Sequence, residues 1–291
     1  MRDRNSAKTP AAQAGKPETT ELREVAYDEA AFFGSFYKAS ARHEVSDRIT
    51  IGNDFSLMES RFHYNAVENS ILRALARRSP PPHGPTVTAA EAIARRRKYR
   101  LLDIGSATGH WIDFFRDVVL VTEVEAVEIT DFMADHLRTK YAGDAGVRVH
   151  KADIAAEDFQ IDSLGAPVDY VSAIGVMFHI VDDAKWLVAL KTLAAMLKPS
   201  GIMFIGGDFG PVTRNAQFHK TDTFESWRDY SKAEGAESEI RVNKRVRSLA
   251  AWQDAAHAAG LSIVDLVRTE AAPSISTPEN DVLVLMRRDQ A

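Results

Sequence analysis

Asp103, Gly105, Ser106, Ala107 and Gly109 stand in "RLLDIGSATGHWIDFF", Arg100 to Phe115, where an apolar run meets an acid and a helical pattern follows a string of small residues. Small residues at such a turn let the backbone approach a ligand closely. The N–H groups of a loop entering a helix can meet a carboxylate or phosphate. A second acid, Glu128, closes the run "VEAVEIT" 25 residues further on, with Ile129 beside it. An acid at that place can accept both hydroxyls of a ribose. Asp153 and Ile154 close "VRVHKADI". His179, in "GVMFHI", has the imidazole suited to taking a proton near neutral pH, and Asp208, in "GGDFG", is a second proton acceptor. Each has a plainer alternative: a tight turn without a ligand, a solvated strand-end carboxylate for Glu128, a structural histidine at a sheet edge, and a turn-capping role for Asp208. A dinucleotide fingerprint would read G-x-G-x-x-G. Counted from Gly105, Ala107 and His110 stand where it needs glycine, which disfavours a nicotinamide oxidoreductase.

The elements that position these residues are short β-like runs alternating with helical ones. The strand candidates are Leu101–Ile104, Val124–Ile129, Val147–His150, Tyr170–Ile174, Ile202–Gly206, Leu261–Thr269 and Asp281–Met286. Helices Ala184–Leu197 and Ser248–Ala259 lie between some of them. Such alternation predicts an α/β fold with a mainly parallel, doubly wound sheet of seven strands. The last two runs follow one another without a helix, which predicts an antiparallel pair at the end of the sheet. Ligands of such sheets bind beyond the carboxyl ends of the strands, at the switch point. The Asp103 loop lies there.

Before Arg100 the pattern is helical. Phe32, Phe33, Phe36 and Tyr37 recur at helix-like intervals, favouring core or lid packing over a substrate cage. Leu57, Phe62, Val67, Ile71, Leu72 and Leu75 do so on a second helix. "SPPPHGP", Ser79 to Pro85, predicts a loop, and "TAAEAIARRRKYR" a short basic helix. The organisation expected is a disordered tail over 1–21, a helical cap over 22–99, and an α/β domain over 100–291 with an insertion at about 210–247.

The chain of 291 residues is 45% hydrophobic and 26% charged, with a net charge of −5 and no cysteine. It can bury a core without staples. Disulfides, thiolate metal sites and cysteine nucleophiles are excluded, and a cytoplasmic protein is expected. No apolar run approaches a membrane span of about 20 residues. The acidic balance opposes nucleic-acid binding by phosphate neutralisation.

The pattern acid-x-Gly-x-small-x-Gly, followed in order by Glu128, Asp153–Ile154, "VDYVSAIGVMFHIVDD" and the Lys-Pro-x-Gly turn of "LKPSGIMFIGGDFG", resembles the class I S-adenosylmethionine-dependent methyltransferases, Rossmann-like in fold, from Arg100 to Met286. Ala107 departs from the glycine usual in that family. The resemblance implies S-adenosylmethionine as cofactor. Asp103, Gly105, Ser106, Ala107 and Gly109, with Arg61, would meet its methionyl part, Glu128 the ribose, and Asp153 and Ile154 the adenine; Ile129 and Ile174 would also contact the cofactor. No metal is implied. His179 and Asp208 become the catalytic candidates, and His63, Tyr64, Met177, Phe178, His219 and Trp227 the acceptor-binding ones. Arg61 could equally make a surface ion pair. The run Arg241, Lys244, Arg245 and Arg247 could meet an anion, but a solvated face is the preferred reading, as it is for Arg95, Arg96, Arg97 and Lys98.

The function expected is methyl transfer to a small-molecule acceptor, most readily at oxygen, because candidate bases exist and "IGVM" stands where an Asn/Asp-Pro-Pro-Tyr motif would be. An RNA or tRNA methyltransferase and a non-catalytic S-adenosylmethionine-binding protein are the alternatives. Acceptor identity and oligomeric state are not fixed by the sequence.

Overall fold

The computed structural model describes residues 23–24, 28–41, 45–47, 57–78, 99–156, 159, 164–219, 226–229, 239–240, 244–269 and 281–288. The tail 1–21, the loop 79–85, the basic stretch ahead of Tyr99, and Arg241 lie outside them.

Two helices precede the sheet: α1 (Glu29–Ser40) and α2 (Leu57–Arg78). Then come β1 (Arg100–Ile104), α3 (His110–Asp117), β2 (Glu123–Glu128), α4 (Asp131–Lys140), β3 (Val147–Lys151) and β4 (Val168–Ile174). A turn of 3-10 helix, Met177–His179, leads to α5 (Asp183–Met196) and β5 (Leu197–Gly207). Strands β6 (Arg214–His219), β7 (Ser226–Asp229) and β8 (Lys244–Val246) follow, then α6 (Leu249–Ala258), β9 (Leu261–Val267) and β10 (Asp281–Arg287).

Seven strands form one sheet in the order β9-β10-β5-β4-β1-β2-β3. Only β10 runs against its neighbours, pairing antiparallel with both β5 and β9. The expected terminal antiparallel pair is therefore present. The chain leaves β1 toward β2 and β3 on one side and returns to β4 and β5 on the other, so the switch point lies between β1 and β4. A separate antiparallel sheet, β8-β6-β7, grows from the segment between β5 and α6.

Apolar residues alternate on the strands, and each face collects its own helices. Leu102, Ile104, Val171 and Ile205 pack with α5 and α6. Leu101, Val124, Phe204 and Val284 pack with α2 and α3. Helix α2 places Val67 and Ile71 fully buried in that second cluster, each contributing about 1.5–3 kcal/mol. Its C-terminal end is held where Arg77 donates to Asp265 of β9 at 2.7 Å.

Helices begin where short polar side chains cap them: Thr130 accepts from Met133 N at α4, Asp182 from Lys185 N at α5, and Ser248 from Ala251 N at α6. One expectation changes in form. The Lys198–Gly201 stretch, read as a turn before the fifth strand, falls inside β5, because Leu197 already pairs with Val168 and the residues after it ride through a register irregularity. Gly201 fits there because a Cβ would come 2.6 Å from Leu197 Cδ1.

Candidate functional site

The loop after β1 is a sequence of left-handed backbone positions, with φ of 65° at Gly105, 44° at Ala107 and 83° at Gly109. Glycine occupies the first and third at little cost. Both are also sterically fixed: a Cβ on Gly105 would lie 2.5 Å from Val176 Cγ2, and one on Gly109 2.4 Å from Tyr141 Oη. Ala107 adopts the same region with a side chain, at about 1–2 kcal/mol of strain. Its N–H donates to Glu128 Oε2 at 3.1 Å, which helps to hold the conformation. Gly109 caps α3 with no side chain, so the first-turn N–H groups of α3 have no capping acceptor.

Two acids lie under this loop. Glu128 is 2% exposed and accepts from the Thr130 N–H and hydroxyl at 3.0 and 2.9 Å as well as from Ala107. Burial raises its carboxyl and these hydrogen bonds oppose the rise. Asp103 is fully buried, and neither carboxylate oxygen has a hydrogen-bond partner. The Ser106 hydroxyl donates instead to the Asp103 carbonyl at 3.0 Å. Ser172, in register with Asp103 on β4, also has a buried hydroxyl without a partner. Burial pushes the Asp103 carboxyl up to about 7. Buried polar groups without partners are rare and call for a reason.

Residues preceding the sheet clasp the same loop. The His110 ring, at the start of α3, meets Asp47 Oδ2 through Nδ1 at 2.9 Å and Glu68 Oε1 through Nε2 at 2.8 Å. Asp47 also accepts from the Thr108 hydroxyl at 2.6 Å, and the Tyr64 hydroxyl donates to the Asp47 carbonyl. The Tyr64 ring lies 3.9 Å from that of His110. Burial lowers the His110 imidazole, but the Asp47 and Glu68 carboxylates outweigh it and hold the pKa above its ordinary value. His63, next to Tyr64, is pushed down to about 4 by burial and by the charge on His110. Asp47 and Glu68 were not singled out in the sequence. Asp47 meets a histidine 63 positions away, and no local pattern announces such a pair.

On the other side of the switch point, the Met177–His179 turn follows β4. The His179 ring sits between Phe33 of α1 at 4.6 Å and Phe178 at 4.5 Å. Asp208, just past β5, is buried and paired with Arg214. Met177 is fully buried, and with Phe178, Gly207, Asp208, Arg245 and Arg247 it lines a small open cavity. The solvated face expected for the basic run is corrected here. Lys244 and Arg247 are each 3% exposed: Lys244 stands in the β8–β6 ladder opposite Ala216, and Arg247, just past β8, bonds to Asp183 and to the Ile180 and Val181 carbonyls. The Lys244 ammonium lies 4.3 Å from the Phe178 ring centre.

The remaining expected residues scatter. Asp153 caps the turn after β3, accepting from Ala155 N at 2.8 Å, and Ile154 is buried in the core. Ile129 is partly exposed, while Ile174 packs against the sheet cluster and crowds Gly206, where a Cβ would meet its Cγ2 at 2.6 Å. Arg61 is exposed on α2, one turn from Tyr64. The backbone places His219 at the end of β6 and Trp227 in β7; their side chains lie outside the described part. Among the described residues, no group of His, Asp or Glu is arranged to hold a metal ion, and no helix is long and apolar enough to cross a membrane.

The sequence profile described as "Methyltransferase domain" matches residues 61–266, more than two thirds of the chain. The chain belongs to that family. A Leishmania major S-adenosylmethionine-dependent methyltransferase superposes with a TM-score of 0.56 at 13% identity, over 88% of this chain and 82% of that one. One from Clostridium acetobutylicum ATCC 824 gives 0.52 at 13% identity, over 80% and 95%. The CcbJ methyltransferase of Streptomyces caelestis gives 0.51 at 15% identity, over 90% and 100%. The fold is thus that of the Rossmann-like S-adenosylmethionine-dependent methyltransferases, whose cofactor is S-adenosylmethionine. A search of curated proteins found no match by sequence.

Proposed function

We propose that this chain transfers the methyl group of S-adenosylmethionine to an oxygen of a small-molecule acceptor, with His179 taking the proton. The residues of the β1 loop fit the cofactor. The orphaned Asp103 carboxylate suits an ammonium, directly or through water. The uncapped N–H groups at the start of α3 suit a carboxylate. Glu128 keeps acceptor capacity for hydroxyls, since a carboxylate has about four lone-pair sites and three donors reach it. Asp153 and Ile154, after β3, would meet the adenine.

When bound, the cofactor supplies an electrophilic methyl on sulfur. The chain then has to hold a nucleophile in line and keep water away. The observation that carries the reading is contact between the two halves of the site. Val176, in the turn that bears His179, packs so closely on Gly105 that a Cβ there would clash. The cofactor loop and the proposed base are therefore neighbours. Rings from α1 close over the turn, with Phe33 edge-on to His179. Helix α1 also packs on α4, so it bridges the crevice. An enclosure of that kind suits a small organic acceptor, and the acidic net charge disfavours a nucleic acid.

The test is turnover to S-adenosylhomocysteine over a panel of phenols, alcohols and amines, for the wild type and His179→Ala. General-base loss is expected to lower kcat by about 10²–10³-fold with cofactor affinity unchanged. Full turnover of a phenol by the variant, or methylation of amines alone, would overturn the oxygen reading.

A further inference from the structure

A buried hydroxyl normally meets a hydrogen-bond partner. One on β4 does not, and the methyl-transfer scheme gives it no task. Ser172 is fully buried and its Oγ has no partner. It stands in register with Asp103 on the adjacent parallel strand β1. Residues opposed in this way point to the same face of a sheet, on strands about 4.8 Å apart. Ala126 of β2 flanks Asp103, and Phe204 of β5 flanks Ser172, so the four make one cross-strand row. The outer two are fully buried in the cluster that packs with α2 and α3. Only the middle two carry polar side chains. Two orphaned carboxylate oxygens and one orphaned hydroxyl therefore lie side by side between apolar neighbours.

The other groups around Asp103 do not replace that hydroxyl. Burial raises the Asp103 carboxyl; the Ser106 and Ser172 hydroxyls lower it, the Glu128 charge at the end of β2 raises it, and His110 at the start of α3 lowers it. Ser106 gives its proton to the Asp103 carbonyl at 3.0 Å. Glu128 is an acid held by Ala107 and Thr130. His110 is engaged by Asp47 and Glu68. Tyr141, just past α4, is raised by burial and Asp113 and further by the Asp103 charge, but its hydroxyl is occupied by Asp113 and the Gly109 carbonyl. The Ser172 proton alone among these is uncommitted, and it comes from the opposite side of the switch point.

Resting on the reading of Asp103 as the acceptor for the cofactor's ammonium, we propose that Ser172 is a positioning residue: its hydroxyl donates to one oxygen of the ionised Asp103 carboxylate and leaves the other for the ammonium. A donor that bonds the charged form of an acid favours that form. Ser172 therefore does two things at once. It limits the rotation of a carboxylate that no other side chain in the row can hold, and it eases an ionisation that burial opposes. Ser172 stays a hydroxyl throughout and touches no reacting atom. Its effect on the cofactor runs through Asp103 and is largest where Asp103 is only partly ionised.

The titration of Asp103 can be followed in the full chain without cofactor, as the infrared carbonyl band of a buried carboxylic acid that Asp103→Asn removes. Ser172→Ala is expected to move its midpoint up by about one unit. An unmoved midpoint would overturn the pairing. Calorimetric titration with S-adenosylhomocysteine gives the second reading. Ser172→Ala should bind about tenfold more weakly than the wild type at pH 6 and about twofold more weakly at pH 8. In the Asp103→Asn background the effect of Ser172→Ala should be the same at both pH values. Ser172→Cys, close in shape but a weak donor, should follow Ser172→Ala. A loss in the wild-type background that ignores pH, or wild-type behaviour of Ser172→Cys, would mean that Ser172 only fills space. The two readings fail separately. If Asp103→Asn weakens binding while the midpoint stays put, the ammonium site stands and Ser172 has no part in it. If the midpoint moves but Asp103→Asn leaves affinity unchanged, the ammonium site falls and takes the positioning role with it.

Discussion

The two sides of the switch point bury groups of opposite charge. Under the β1 loop, Asp103 and Glu128 are buried acids with no basic side chain bonded to either. Beside β5 and β8, Lys244 and Arg247 are buried cations, Lys244 over the Phe178 ring and Arg247 bonded to Asp183. Burying a charge costs free energy even where it is hydrogen-bonded or paired, so a fold selected for stability alone has little reason to keep either group. Acidic groups are thus buried on one side of the switch point and basic groups on the other.

Removing the charge on Asp103 should break the comparison most sharply. Asp103→Asn is expected to weaken S-adenosylmethionine binding by about 10–100-fold, from the loss of a charge-assisted hydrogen bond of about 1.5–3 kcal/mol. The melting temperature should hold or rise, because the variant no longer buries an ionisable group. Calorimetry with thermal melting checks both; unchanged affinity would remove Asp103 from the cofactor site.

The same group gives a pH dependence whose sign is fixed. Its carboxyl titrates at about 7 in the folded chain and near 4 when unfolded. Between those values the folded state binds the extra proton, so stability rises as pH falls through that window. An ammonium favours the ionised form. Cofactor affinity should therefore rise with pH up to about 7 and level off above it, by up to tenfold per unit. Titration at pH 6, 7 and 8 should show proton release that Asp103→Asn abolishes.

The His110 clasp should give a smaller effect. Its raised pKa means that its contribution is complete below about 6.5 and is lost as pH climbs through the higher folded value. Asp47 is held low by its bonds to His110 and Thr108 despite burial, so its contribution is lost only as pH falls below about 4. At pH 6, His110→Gln should cost about 1–2 kcal/mol, seen as faster hydrogen exchange in the N-terminal half of α2. The difference between variant and wild type should shrink at pH 9. Equal exchange at pH 6 would mean that the clasp holds nothing.

Ala107→Gly should give the smallest change. Relief of the left-handed strain, set against the greater entropy of glycine in the unfolded chain, leaves a gain of under about 1 kcal/mol. A melting curve measures it, and a loss of stability would mean that the Ala107 methyl packs better than its backbone suffers.

The two sides also differ in how far the sequence revealed them. Around Asp103 the information is local. Apolar runs end in acids, glycines stand where the chain must take positive φ, and short polar residues open the helices. The strand ends, the loop and the terminal antiparallel pair could all be read there. Around β8 the information is not local. "NKRVRS" reads as a solvated run because nothing nearby tells which strand it will pair with. Lys244 enters the β8–β6 ladder, and Arg247 is drawn in by Asp183 and the Ile180 carbonyl, all distant in sequence. The Asp47–His110–Glu68 contact escaped for the same reason: its members come from three elements, and only the tertiary fold joins them.

That contact also ties two parts of the chain to one proton. Asp47 and Glu68 both belong to the segments that precede the sheet, and His110 opens α3. Lifting those segments takes both acceptors from the ring in one movement. Above the ordinary imidazole pKa, the ring then gives up its proton as they leave and regains it as they return. Breaking that contact is thereby a proton-coupled step, and its rate should depend on the buffer.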